Sequence, residues 1–140
     1  MDAHSNGETV VAYGEKSFTE TTKDVPFAIV EKPPQFPGCE GDAQELKKCL
    51  QASISNHVGR NFNADLSNTL NLESGVHKIN VMFRIDKEGN IVDIKARASH
   101  IKMAEEAIRV IESLPNLIPG EQRGEKVSIQ YALPIKFKIE

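Results

Sequence analysis

The sequence predicts a two-layer α+β domain. Its three-stranded antiparallel sheet has the order 2-1-3, counting strands along the chain, and two helices lie on one face. Three observations carry that expectation. Between residues 126 and 140, Val127, Ile129, Tyr131, Leu133, Ile135, Phe137 and Ile139 alternate with Ser128, Gln130, Ala132, Pro134, Lys136 and Lys138, and a period of two is a strand with one dry face. The same alternation occurs twice between His77 and Ala98, around the turn residues Asp86-Lys87-Glu88-Gly89-Asn90, which is the pattern of a hairpin. Two other segments, starting at Asp42 and Ile101, repeat their apolar residues at helical spacing.

Taken in order, residues 1–24 are polar and without a sustained period, and they are expected to be a disordered leader or linker. Residues 25–140 are expected to form the domain. Its first segment sets Val25, Phe27, Ile29 and Phe36 among four prolines, so it is extended and laid on the surface. Asp42 and Glu45 have capping-box spacing, and Leu46, Cys49, Leu50, Ile54, His57, Val58 and Phe62 form one stripe of the helix that follows. A short second turn is expected over residues 64–70, capped by Asn63.

In the hairpin, Ile79, Val81, Phe83 and Ile85 face Val92, Ile94, Ala96 and Ala98. A helix follows from Ile101 to Leu114, its inner stripe being Ile101, Ala104, Ala107, Ile108, Ile111 and Leu114, and Pro115 stops it. A right-handed crossover then brings the last strand beside the first and antiparallel to it. Pro134 cannot donate to a ladder, so that last strand belongs at a sheet edge. An exposed edge is either a docking surface or a hazard.

At 140 residues the chain is one domain's worth. A net charge of −3 with interspersed signs argues against nucleic acid or a membrane surface as a partner. No apolar run approaches the roughly 20 residues that span a bilayer, and no signal-peptide pattern follows Met1.

Nothing in the residues points to an enzyme. There is no Gly-x-Ser-x-Gly elbow, P-loop or dinucleotide fingerprint, so no catalytic residue and no cofactor is assigned. His4, His57, His77 and His100 have no metal-ligand spacing, and His57 reads as a packing histidine. Cys39 and Cys49 lack the motif of a redox pair. Their separation allows a disulfide worth about 2 to 3 kcal/mol, or two inert thiols. Gln122 and Arg123, in the glycine-flanked loop from Pro119 to Gly124, read first as a solvated connection and second as contacts for a partner beside the edge strand.

Several segments together resemble the C-terminal periplasmic domain of the TonB energy transducers. These are the proline-rich lead-in to Cys39, His57-Val58-Gly59-Arg60-Asn61-Phe62, the strand–turn–strand around Ile85-Asp86-Lys87-Glu88-Gly89-Asn90, a helix ending in Leu114-Pro115, then Pro119-Gly120-x-Gln122-Arg123-Gly124, and a last strand with Pro134-Ile135-x-Phe137. They are collinear from about Val25 to the end.

The resemblance implies a TonB C-terminal-domain-like fold in the periplasm and an inner-membrane anchor driven by an ExbB/ExbD complex. It also implies a last strand that binds the N-terminal box peptide of outer-membrane transporters by strand addition. The docking positions it implies are Ser128, Ile129, Gln130, Tyr131, Ala132 and Leu133, with Gln122 and Arg123 beside them. A periplasmic setting favours the Cys39–Cys49 disulfide. The family's anchor and spacer are absent from these residues, so the chain is expected to be a piece of a longer one. The alternative is a structural or regulatory domain of the same fold whose edge pairs with itself in a homodimer.

Overall fold

The computed structural model describes residues 10–14, 24–70 and 72–139. In chain order its elements are β1 (Val10–Tyr13), β2 (Val25–Pro26), α1 (Ala43–Asn61), α2 (Leu66–Thr69), β3 (Gly75–Ile85), β4 (Ile91–Ala98), α3 (Ile101–Glu112), β5 (Gly120–Gln122), β6 (Glu125–Val127) and β7 (Ile129–Ile139). The expected strands are β3, β4 and β7. They lie antiparallel as β4-β3-β7, the 2-1-3 order.

The sheet is nevertheless five-stranded and mixed, not three-stranded and antiparallel. Its order is β1-β4-β3-β7-β2, with β2 parallel to β7, and β5 and β6 form a separate hairpin. Strand β1 falls within the stretch expected to be disordered, and for Val10–Tyr13 that expectation does not hold. These residues pair with Ala98 to Lys95 of β4, and Ala12 is buried in the core. Four residues are too few to display a period, so their pairing with β4 is decided by tertiary contact. Most of the remaining leader lies outside the described residues.

β3 and β7 hold the centre. They pair over eleven residues without a register shift, from Gly75 opposite Ile139 to Ile85 opposite Ile129. Ile79, Val81, Phe83 and Ile85 on one strand, and Ile129, Tyr131, Leu133 and Ile135 on the other, are buried beneath α1 and α3. Each such side chain contributes roughly 1.5 to 3 kcal/mol on burial.

Asp42 caps α1 in a complete capping box with Glu45, so two otherwise orphaned donors are satisfied reciprocally. The inward residues of α1 are Leu46, Leu50, Ile54 and Val58. α2 starts from Asp65 with no side-chain cap, while Asn63 Oδ1 accepts from the Asp65 N–H. α3 turns a slightly different stripe inward than expected: Met103 and Val110 are buried, whereas Ile101, in its first turn, is exposed.

In the β3–β4 turn, Asp86 Oδ1 accepts from the N–H groups of Glu88 and Asn90. Gly89 has φ +83, and a Cβ there would lie 1.7 Å from the Leu117 carbonyl oxygen. Only glycine lets the two backbones meet, with Leu117 N–H donating to the Gly89 carbonyl at 2.9 Å. Past the turn, Asp93 takes φ +52 where the β3–β4 register shifts between Met82 and Arg84. Such a bulge returns Ile94, Ala96 and Ala98 to the core face.

Candidate functional site: the outer edge of the last strand

The Ser128 carbonyl accepts from Val25 N–H at 2.9 Å and the Gln130 carbonyl from Phe27 N–H at 3.1 Å. Backbone polar groups alternate sides along a strand, so the even residues of β7 point theirs outward and the odd residues point theirs at β3. Ala132, Pro134, Lys136 and Lys138 therefore present the outer edge. Beyond Gln130, no strand lies on that side among the described residues. Pro134 is in the outward set, so its missing N–H costs the β3–β7 ladder nothing.

The eight residues expected to meet a partner divide into groups. Ile129, Tyr131 and Leu133 are buried core residues whose backbones face β3. Ser128 is also buried. Ser128 and Gln130 have their outward carbonyls occupied by the chain's own β2. Ala132 is exposed and begins the open part of the edge. Gln122 and Arg123 sit on the β5–β6 turn, where Gln122 Oε1 accepts from Glu31 N–H at 2.9 Å and Arg123 N–H donates to Glu31 Oε1 at 2.8 Å. Those two residues bind the proline-rich segment of their own chain.

β2 is held in place by side chains as well as backbone. The Phe27 ring packs on Tyr131 with centroids 4.8 Å apart, and Tyr131 stacks on Phe83 at 5.2 Å. Lys47 Nζ, over the Phe27 ring, donates to the Ala28 carbonyl at 3.0 Å. On the opposite face of the sheet Arg84 reaches Asp24 at 3.1 Å and Asp93 at 2.9 Å, tying the residue before β2 to the β3–β4 bulge.

Further on, Lys32 and Gln35 bridge to Glu121 and Ile118. Cys39 and Cys49 are joined in a disulfide with Cα atoms 5.9 Å apart. The segment is thus stitched from β7, past β5, to α1. Val25 and Phe27, alternate apolar residues on either side of Pro26, are the faint sequence signal of this.

The open part of the edge borders a cavity of about 210 Å³ between β7 and α1, lined by Ser55, Val58, Gly59, Leu133, Pro134, Ile135 and Lys136. Lys136 and Lys138, exposed on the polar face of the strand, both stand at this edge. Burial holds the Tyr131 phenol up at about 12. His57 packs as expected, its Nε2 lying 3.0 Å from the Val110 carbonyl and 2.9 Å from Ser113 Oγ. Among the described residues no His, Cys, Asp and Glu side chains gather as a metal site, and no helix is long and apolar enough to cross a membrane.

The fold and this edge define a two-layer α+β domain whose last strand is covered on its outer side by β2 only as far as Gln130, among the described residues. Residues 75–139, the span from β3 through β7, match the family described as Gram-negative bacterial TonB protein C-terminal. No curated protein and no solved structure matches the chain.

Proposed function

We propose that this chain is the periplasmic domain of a TonB-type energy transducer, and that it grips the N-terminal box peptide of outer-membrane transporters by adding it as a strand to β7. The observation that carries this reading is the outer side of β7, which no strand covers from Ala132 onward among the described residues. β2 already takes up the adjoining stretch as a parallel strand, so the edge is shaped to accept one. Strand addition gains affinity from main-chain hydrogen bonds. About five of them, each worth on the order of 0.5 to 1.5 kcal/mol net, suit a reversible grip.

Tension applied along such a ladder loads its bonds together. The central β3–β7 pairing transmits it through eleven residues of continuous register. In this reading an ExbB/ExbD complex drives the domain through an inner-membrane anchor, and the domain needs neither catalytic residue nor cofactor. The docking stretch is residues 132–138, of which Ala132 and Leu133 belong to the set implied by the family resemblance. Self-pairing of the edge is the competing arrangement, and a second copy would bring its own Lys136 and Lys138 to an edge that already carries two cations.

The test is an NMR titration of the labelled chain with peptides from the plug N-termini of outer-membrane transporters. Shifts concentrated on the amides of Ala132, Lys136 and Lys138 are expected. Protection of those amides in the absence of peptide, with a concentration-dependent dimer, would replace this reading with self-pairing.

A further inference from the structure

The face of the sheet turned away from the helices has an uneven charge. Lys78 on β3, Lys95 and Arg97 on β4, and Lys136 and Lys138 on β7 are all exposed on it. None of the five makes an ion pair among the described residues. The chain as a whole is acidic, at −3, so this concentration of cations runs against its composition.

Lys78 and Lys136 stand directly opposite each other. Their backbones point away from one another, which is the cross-strand position where side chains come closest. Like charges placed there destabilise a sheet. Lysine on an edge strand can be explained as a guard against aggregation. That explanation reaches Lys136 and Lys138 but not Lys78, Lys95 and Arg97, which are on interior strands.

A strand added beside residues 132–138 would place alternate side chains on this face, next to Lys136 and Lys138 and within reach of Lys78. The intervening side chains would lie over the cavity lined by Val58, Gly59, Leu133 and Ile135. From that juxtaposition we infer that the edge selects an acidic extended segment of a partner protein. Its carboxylates are spaced two residues apart on the outer side, and apolar residues stand between them. The inference rests on the strand-addition reading above and adds the chemistry of the partner to it. Binding then relieves the Lys78–Lys136 repulsion as well as completing the ladder, so charge sets which segment is accepted.

The experiment compares three ten-residue peptides of alternating valine and a second residue, which is glutamate, glutamine or lysine. Each is titrated into the full chain at low and at high salt, with NMR reporting the amides of Ala132, Lys136 and Lys138. The glutamate peptide is expected to bind about tenfold tighter than the glutamine peptide at low salt, and the lysine peptide weakest. The gap should shrink as salt screens exposed charges.

In the chain carrying Lys78→Gln, Lys136→Gln and Lys138→Gln together, the gap between the glutamate and glutamine peptides should close. Equal affinity of those two peptides, with the edge amides shifting, would overturn the acidic preference and leave strand addition standing. No shift of the edge amides with any peptide would remove both. Vesicles containing phosphatidylglycerol serve as the competing anion. If they shift the lysine amides while the glutamate peptide does not, the face is a lipid surface and the proposal fails.

Discussion

Phe27 closes over Tyr131 at 4.8 Å between ring centroids, while its own N–H is donated to the carbonyl of the neighbouring Gln130. One residue therefore supplies both the apolar and the polar attachment of β2 to the last strand. Phe27→Ala removes the ring and leaves the backbone bond. A partly buried aromatic at such a contact is worth about 1 to 3 kcal/mol. The expected outcome is a loss of that size in denaturant unfolding, together with faster hydrogen exchange at the Val25 and Phe27 amides than at β3. If both amides stay as protected as β3, β2 is held by something other than this ring.

The disulfide ties the far end of the same segment to α1. Its loop spans a separation of 10 residues, for which constraint of the unfolded chain contributes about 2 to 3 kcal/mol. Replacing Cys39 and Cys49 together with serine is expected to lower stability by that amount. Cys39 and Cys49 are remote in sequence from the open edge, so peptide shifts at Ala132 and Lys136 should persist in the double variant. Unchanged unfolding would mean that the segment is held by its backbone and side-chain contacts, the bridges to Glu121 and Ile118 among them, without help from the disulfide.

How far the structure could be read from the residues follows from the length of each pattern. β7, β3 and β4 bury one complete face, so their alternation is long and their order follows from chain connectivity. α1 announces itself through Asp42 and Glu45. β1 and β2 are four and two residues long, and such strands exist because a neighbour offers a ladder, which no local pattern encodes. The candidate site was displaced for the same reason. Alternation located the edge at β7, but only the pairing of Val25 and Phe27 with Ser128 and Gln130 moved its open part to residues 132–138. Pro134 carried the decisive clue through its parity, which sets the side of the strand that lacks an N–H.

Glu106 and Arg109 clasp the end of α1 to α3. Arg109 donates to Glu106 at 2.8 and 2.6 Å and to the Asn61 carbonyl at 2.8 Å, and Glu106 accepts from Asn63 N–H at 2.8 Å. The Arg109 hydrogen bond holds the Glu106 carboxyl below the usual carboxylate range, outweighing the opposing effect of burial. A lowered folded value means that the stabilisation is fully present above the unfolded value and is lost as pH falls through the folded one. Glu106→Gln is expected to cost about 1 kcal/mol at neutral pH and to flatten the acid limb of the stability–pH curve. An acid limb unchanged in the variant would place that proton uptake elsewhere.

Tyr131 gives the opposite sign at the alkaline end. Its ring is buried between Phe27 and Phe83, and burial raises the phenol from about 10 to about 12. The folded protein therefore keeps its proton where the unfolded chain has released it. The resulting stability is fully present below the unfolded value and is lost as pH rises through the folded one. Two pH units correspond to about 2 to 3 kcal/mol, so unfolding should become easier across roughly pH 10 to 12. Tyr131→Phe removes the titrating group but keeps the stacked ring, and its stability should lack that alkaline slope. The direct check is an NMR titration of the Tyr131 ring. Ionisation near 10 in the folded chain would show that the phenol reaches water, and that Phe27 and β2 do not seal the start of the edge.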